Sequence, residues 1–189
     1  MSDSRQGPAS IRDVLVEGMD LFESELDRVT AHDWANATPC ADWTVADLVR
    51  HAADTADRAS AFLRDQAWQA SESASPARER WSEAGGQLRK VLAETALDDR
   101  WPLPSDSPHA KLLFHGCDFT VHRWDLAVAR GEEAELPAAW VSFMESFFRS
   151  VPAEVLRRPR AFSDPLEPAD GDGPTRRLMA FLGRRPLPA

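Results

Sequence analysis

The sequence predicts an all-α protein, a bundle of four main helices with a C-terminal extension. Three observations carry that reading. Apolar residues recur at steps of three, four and seven over long segments, as one face of a helix requires. Proline and glycine clusters cut those segments apart. No stretch alternates apolar and polar residues as a half-buried strand would, and no internal repeat is present. The bundle is expected over residues 1–150 and the extension over 151–189, with a short helix of the extension packed on the bundle.

The first helix is expected from Ile11 to Thr30. Ile11, Val14, Leu15, Leu21, Phe22, Leu26 and Val29 form one stripe, and Ser10 is placed to cap it. Trp34 to Trp43 reads as a loop, because Pro39 disfavours helix at Thr38 and lacks a backbone donor. Thr44 opens the second helix as a capping box with Asp47, and its stripe of Leu48, His51, Ala52, Thr55, Ala59 and Phe62 continues to about Trp68. After a Ser- and Ala-rich link, Pro76 starts a third helix ending near Thr95, with Gly85-Gly86 as a weak point or a close-packing site. Asp98 to Pro108, with three prolines, is a loop. The fourth helix runs from about His109 to Arg130 and stops at Gly131. Leu136-Pro137 begins a fifth helix through Arg149. Beyond Val151 an extended tail with Pro159, Pro165 and Pro168 leads to a last short helix, Pro174 to Leu182, closed by Gly183.

The 189 residues carry 31 acidic and 22 basic side chains, a net charge of -9. Nucleic-acid binding is disfavoured, since phosphate contacts need clustered Lys and Arg. Two cysteines, Cys40 and Cys117, do not make a disulfide framework. Met1 to Ser10 lacks a signal-peptide pattern, and no apolar run reaches the length of a membrane span. A soluble, reduced, cytoplasmic protein is expected, as a monomer or homodimer. Seven tryptophans against no tyrosine is the unusual count.

The chemistry-bearing stretch is His115-Gly116-Cys117-Asp118-Phe119-Thr120-Val121-His122-Arg123-Trp124-Asp125. Asp118 and His122 are one helical turn apart, so they can chelate one divalent ion or form an ion pair on the helix surface. His51 lies on the inward stripe of the second helix, where a lone His is either a core residue or a ligand. An inward His facing an inward Asp–His pair from another helix is how bundles build metal sites, and two His with one Asp leave coordination positions open. His115, roughly 10 Å from His122 along the axis, is too far to share that ion and is cast as a pocket residue. Asp47 is occupied with Thr44, and His32 and His109 lie near helix ends. Cys40 reads as a small buried residue of a tight loop, with a nucleophile as the alternative. Trp43 and Trp124 are expected to wedge the start of helix two against helix four. Asp125 is expected either to bond the start of helix two or to orient a ligand. Arg50 and Arg123 point about 100° away from the adjacent ligands.

These residues carry a resemblance. Thr38-Pro39-Cys40-x-Asp42-Trp43-Thr44-Val45-x-Asp47-Leu48-Val49-x-His51 resembles the signature of the mycothiol-dependent maleylpyruvate isomerase N-terminal domain, within the DinB-like thiol-S-transferase superfamily of metal-binding four-helix bundles. Asp118-x-x-x-His122-Arg123-Trp124-Asp125-Leu126-Ala127 resembles the second signature, and Arg177-Leu178-Met179-Ala180-Phe181-Leu182-Gly183-Arg184-x-Pro186 is similar to the tail of a compact metal-binding subgroup. The resemblance implies a divalent metal, zinc foremost and nickel, iron or manganese as alternatives, held by His51, Asp118 and His122. The isomerase has Glu where this chain has Asp118, and its separate C-terminal domain has no counterpart here, which takes support from maleylpyruvate as substrate. The implied function is a metal-dependent transferase or isomerase acting on a small molecule with a low-molecular-weight thiol such as mycothiol. The alternatives are a thiol-independent lyase or cyclase on the same fold and a non-catalytic metal or ligand binder.

Overall fold

In the computed structural model, residues 7–40, 42–71, 73–97, 103, 107–157 and 162–187 are described. Their regular secondary structure is helical, with no strand among the described residues beyond a single bridge between Ala37 and Thr44. The elements are α1 (Ile11–Leu26), α2 (Val45–Leu63), α3 (Ala77–Glu94), α4 (Ala110–Ala129), α5 (Ala138–Ser150), α6 (Ala153–Leu156) and α7 (Pro174–Phe181). None of these helices is long and apolar enough to cross a membrane.

α1 packs on α4, α4 on α2, α2 on α3 and α3 on α1, which closes a four-helix ring. Leu15, Phe22, Leu48, Leu88, Phe119 and Leu126 are fully buried inside it. α4 buries residues on nearly every side, because α5 also leans on it through Phe114 and Phe148. The closest approach is between α1 and α4. A Cβ on Gly18 would stand 2.5 Å from Gly116 O, and one on Gly116 would stand 2.5 Å from Val14 O, so side chains are excluded there. Gly85 abuts Trp81, whereas Gly86 faces open space.

The caps form as the sequence predicts at Ser10, whose Oγ accepts from Asp13 N at 3.1 Å, and at Thr44 and Asp47, which exchange both capping-box bonds. Gly131, at φ +73°, ends α4 in the left-handed conformation. Two helix ends differ from expectation. α1 stops at Leu26 instead of Thr30, because Arg78 of α3 donates to the Leu26 and Val29 carbonyls at 2.6 and 3.2 Å and so caps the end from outside. α2 stops at Leu63 instead of Trp68. Asp65 turns to φ 54° and Gln66 N–H returns to Ala61 O at 2.8 Å, while Trp68 leaves the helix axis to lie 4.2 Å from the Arg58 guanidinium. The loop before α2 contains a 3-10 turn at Asp33–Ala35, and the tail expected as extended contains α6. Most of the Asp98–Pro108 loop, with Trp101, and Pro159 lie outside the described residues.

The extension lies on the bundle. Leu178, Met179 and Leu182 of the α7 segment are buried, and Leu136 N–H donates to Thr175 Oγ1 at 3.0 Å. α5 is tied to α1 by Trp140 Nε1–H donating to Glu17 Oε2 at 3.0 Å.

Candidate metal centre

The capping box sets where α2 begins, and therefore which way His51 faces. Seven residues after Thr44, its ring turns toward α4 and its Nε2 lies 3.1 Å from Asp118 Oδ2. Thr55, one turn further along α2, donates its hydroxyl to the same oxygen at 3.2 Å. Asp118 Oδ1 faces His122 Nε2 at 3.4 Å, one turn further along α4. The ligand atoms of His51, Asp118 and His122 all lie within 4.8 Å of one another.

His122 is the pivot of the site. Its Nδ1 lies 2.9 Å from Asp125 Oδ2, so that nitrogen carries the proton and donates it. Its Nε2 is buried and has no hydrogen-bond partner, since the 3.4 Å approach of Asp118 lacks hydrogen-bonding geometry. Once it gives up its proton, a buried imidazole nitrogen beside a second imidazole nitrogen and a carboxylate completes the donor set of a borderline-soft divalent ion. Without an ion, burial opposes a charge on His122, but the Asp118 carboxylate outweighs it and, with Asp125 and Cys40, holds the imidazolium well above the ordinary histidine range. Burial likewise opposes a charge on Asp118, yet His122 and His51 keep its carboxyl well below the usual range.

Contacts behind the triad reach into the extension. Arg184, just beyond α7, donates Nε–H to both oxygens of Asp125 at 3.2 and 3.1 Å, and its Nη2 lies 3.8 Å from Cys40 Sγ. The Cys40 thiol donates to Asp125 Oδ2 at 3.3 Å. Asp125 is fully buried, and Arg184 foremost among its partners keeps it ionised against that burial. Of the two expectations for Asp125, this geometry is that of orienting His122. Cys40, His122 and Asp125 form another cluster of potential ligand atoms. There the Arg184 guanidinium already supplies the positive charge, so an added cation meets repulsion. Among the described residues no guanidinium or ammonium contacts the His51–Asp118–His122 cluster, so a cation meets less repulsion there.

Trp43 lies against this face, its ring 4.7 Å from His51 and 6.2 Å from His122. It is held by a turn in which Asp42 takes φ 65° and Trp43 N–H donates to Cys40 O at 3.1 Å. Trp124 lies elsewhere. Two residues beyond His122 it faces the other side of α4, where it lines a hollow of about 390 Å³ with Val128, Glu133, Arg176 and Pro186. His115 is half-buried on the triad side of α4, and desolvation lowers its pKa to about 4. Cys117 is fully buried, which pushes its thiol well above the usual range and makes it inert. Sequence reasoning missed the roles of Thr55 and Arg184. Thr55 was visible as a stripe neighbour of His51, but Arg184 meets Asp125 across 59 residues and no spacing announces it.

Residues 15–127 match the mycothiol maleylpyruvate isomerase N-terminal domain. The chain belongs to that family. The match contains all three triad residues and Asp125, and ends before Arg184. Two relatives from Mycobacterium tuberculosis are similar over nearly the whole length. The uncharacterized protein Rv0738 (strain H37Rv) and the uncharacterized protein MT0763 (strain CDC 1551) are each 26% identical over 174 residues, covering 87% of this chain and 92% of theirs. No solved structure matches the chain significantly.

Proposed function

We propose that this protein is a metal-dependent enzyme that uses a low-molecular-weight thiol, such as mycothiol, to transfer to or isomerise a small electrophile. The observation that carries this reading is the convergence of the buried His122 Nε2, which makes no hydrogen bond, with Asp118 and His51 while Asp125 holds the opposite nitrogen. His51, Asp118 and His122 would hold the ion, with zinc favoured by two imidazoles and one carboxylate. When bound, such an ion supplies the charge that lowers the pKa of a small thiol.

The chain's own residues do the rest. Asp125 fixes the ring orientation and tautomer of His122, and Arg184 keeps Asp125 charged. Trp43 covers one side of the histidines and limits water there. Cys117 is buried and out of reach of a substrate, and Cys40 is tied to Asp125 and Arg184 on the Nδ1 side of His122. In this reading the attacking group comes from a cosubstrate thiol.

The test has two parts. Zinc titrated into metal-free protein should bind, and His122→Ala should weaken it by about a hundredfold or more. Equal affinity in the variant removes the site. With metal loaded, turnover of electrophiles from a panel of unsaturated keto-acids and activated aryl halides should require an added thiol. Turnover that persists after every small thiol is removed would transfer the assignment to a thiol-independent lyase or cyclase.

A further inference from the structure

α2 and α4 run antiparallel, and two contacts fix their register. Thr55 meets Asp118 beside the metal centre at 3.2 Å, and Phe62 meets Lys111 further out, with Nζ 3.4 Å from the ring centroid. Between these crossings the facing positions are Arg58 on α2 and His115 on α4. Arg58 is three residues from Thr55 and four from Phe62, and His115 is three from Asp118 and four from Lys111, so each sits on the groove side of its helix. The line from Asp118 to Lys111 spans seven residues, or roughly 10 Å.

The outer end of this groove carries two cations in an acidic protein, with the Asp118 carboxylate at its inner end. Arg28, Arg78, Arg80, Arg89, Arg130 and Arg176 each have a carboxylate within salt-bridge distance. Arg58 and Lys111 have none among the described residues, and each rests on an aromatic ring, Trp68 and Phe62 respectively. The nearest acid in sequence, Asp57, is taken by Arg80. A cation over a ring face gains roughly 1 kcal/mol and leaves its N–H donors free. Two more nitrogens at this end, Trp68 Nε1 and His109 Nδ1, are buried without a hydrogen-bond partner, and His109 packs on Phe62. Both cations also lower the pKa of His115 between them, after the larger effect of burial.

We propose that Arg58 and Lys111 form an anion subsite that binds the carboxylate or phosphate group of an organic anion lying in the α2/α4 groove. The opposite, reactive end of that molecule reaches the His51–Asp118–His122 cluster roughly 10 Å away, a part of the inference that rests on the function proposed above. The subsite itself does not need a metal. It selects for an elongated substrate or cosubstrate with a terminal negative charge, and it disfavours neutral or cationic ones.

The first arm of the test uses metal-free protein. Inorganic phosphate and succinate are titrated separately while the His115 ring and Lys111 Nζ resonances are followed. Saturable binding of either anion is expected, and the tighter of the two identifies the group. The Arg58→Gln/Lys111→Gln double variant should bind roughly tenfold more weakly or worse, and Arg58→Lys/Lys111→Arg should retain binding. Circular dichroism and a thermal melt establish that both variants fold. No saturable shift, or equal binding by the double Gln variant, overturns the subsite. The second arm uses zinc-loaded protein and compares 8-mercaptooctanoate with 8-mercaptooctanol, the same chain without the charge. The acid should bind roughly tenfold more tightly, and the double Gln variant should abolish the difference. Equal affinity for acid and alcohol overturns the proposed link between subsite and metal centre. Loss of zinc binding with anion binding intact overturns the metal reading and leaves the subsite standing.

Discussion

The two ring nitrogens of His122 are used differently, since Nδ1 is committed to Asp125 and Nε2 faces Asp118 at 3.4 Å without a hydrogen bond. That division predicts unequal effects of neighbouring substitutions. Asp125→Asn should weaken zinc binding by roughly ten- to a hundredfold, because the amide can present either N–H or C=O to Nδ1 and no longer enforces the tautomer. Arg184→Met should weaken it less but cost about 3 kcal/mol in stability, since it leaves the Asp125 charge buried without its cation. Zinc titration and denaturant melts of both variants check this, and the reverse ranking in zinc affinity would contradict it. His115 supplies a pH dependence. Its folded pKa is about 4 and its ordinary value 6.5, so between these values the unfolded chain binds the extra proton and stability falls as the pH falls. The loss across that window is of the order of 3 kcal/mol. Metal-free His115→Asn should show a correspondingly shallower decline from pH 6.5 to 4, measured by urea midpoints.

At the scale of the elements, glycine has opposite meanings on α3 and at the α1–α4 crossing. Gly116→Ala forces a methyl group into Val14, and should destabilise the fold by about 2 kcal/mol through overpacking. Gly86→Ala adds a methyl group into open space on a helix surface, and should stabilise by about 0.5–1 kcal/mol. Thermal melts of the two variants should move in opposite directions. Both glycines interrupt apolar helical patterns in the same way, so sequence spacing alone did not separate them. The helix starts were legible because Ser10, Thr44 and Asp47 act on their own first turns. The ends of α1 and α2 were less legible, because Arg78 reaches α1 from another helix and Trp68 leaves α2 for Arg58.

Across the whole molecule, the C-terminal extension is joined to the candidate metal centre by the Arg184–Asp125 pair and to the core by Leu178, Met179 and Leu182. Removing residues 174–189 should therefore lower the melting temperature and the zinc affinity together, whereas Arg184→Met perturbs the site with the buried apolar residues in place. If the truncated chain bound zinc as tightly as the full chain, the extension would have no part in the site. The described tryptophans also separate at this scale. Trp81 packs against Phe22 and Phe119 in the bundle core, Trp140 ties α5 to α1, and among the described residues Trp43 is the one set against His51 and His122.

What the sequence by itself determined was local. The helical periodicity, the caps, the i, i+4 spacing of Asp118 and His122 and the inward face of His51 are all set within a turn or two of chain. They were enough to predict the bundle and to make the three residues candidates, while their assignment as one ligand set came with the resemblance to the family signatures. Only the tertiary structure decided what meets across the fold. It brought Arg184 onto Asp125, put Trp124 on the opposite side of α4 from Trp43, and set Arg58 on Trp68 and Lys111 on Phe62 without acidic partners among the described residues. The physical reason is that a side chain's direction follows from its own helix, whereas its partner depends on how far each helix is rotated and shifted when the core packs. That packing depends on close contacts such as Gly18 against Gly116, which no local pattern encodes.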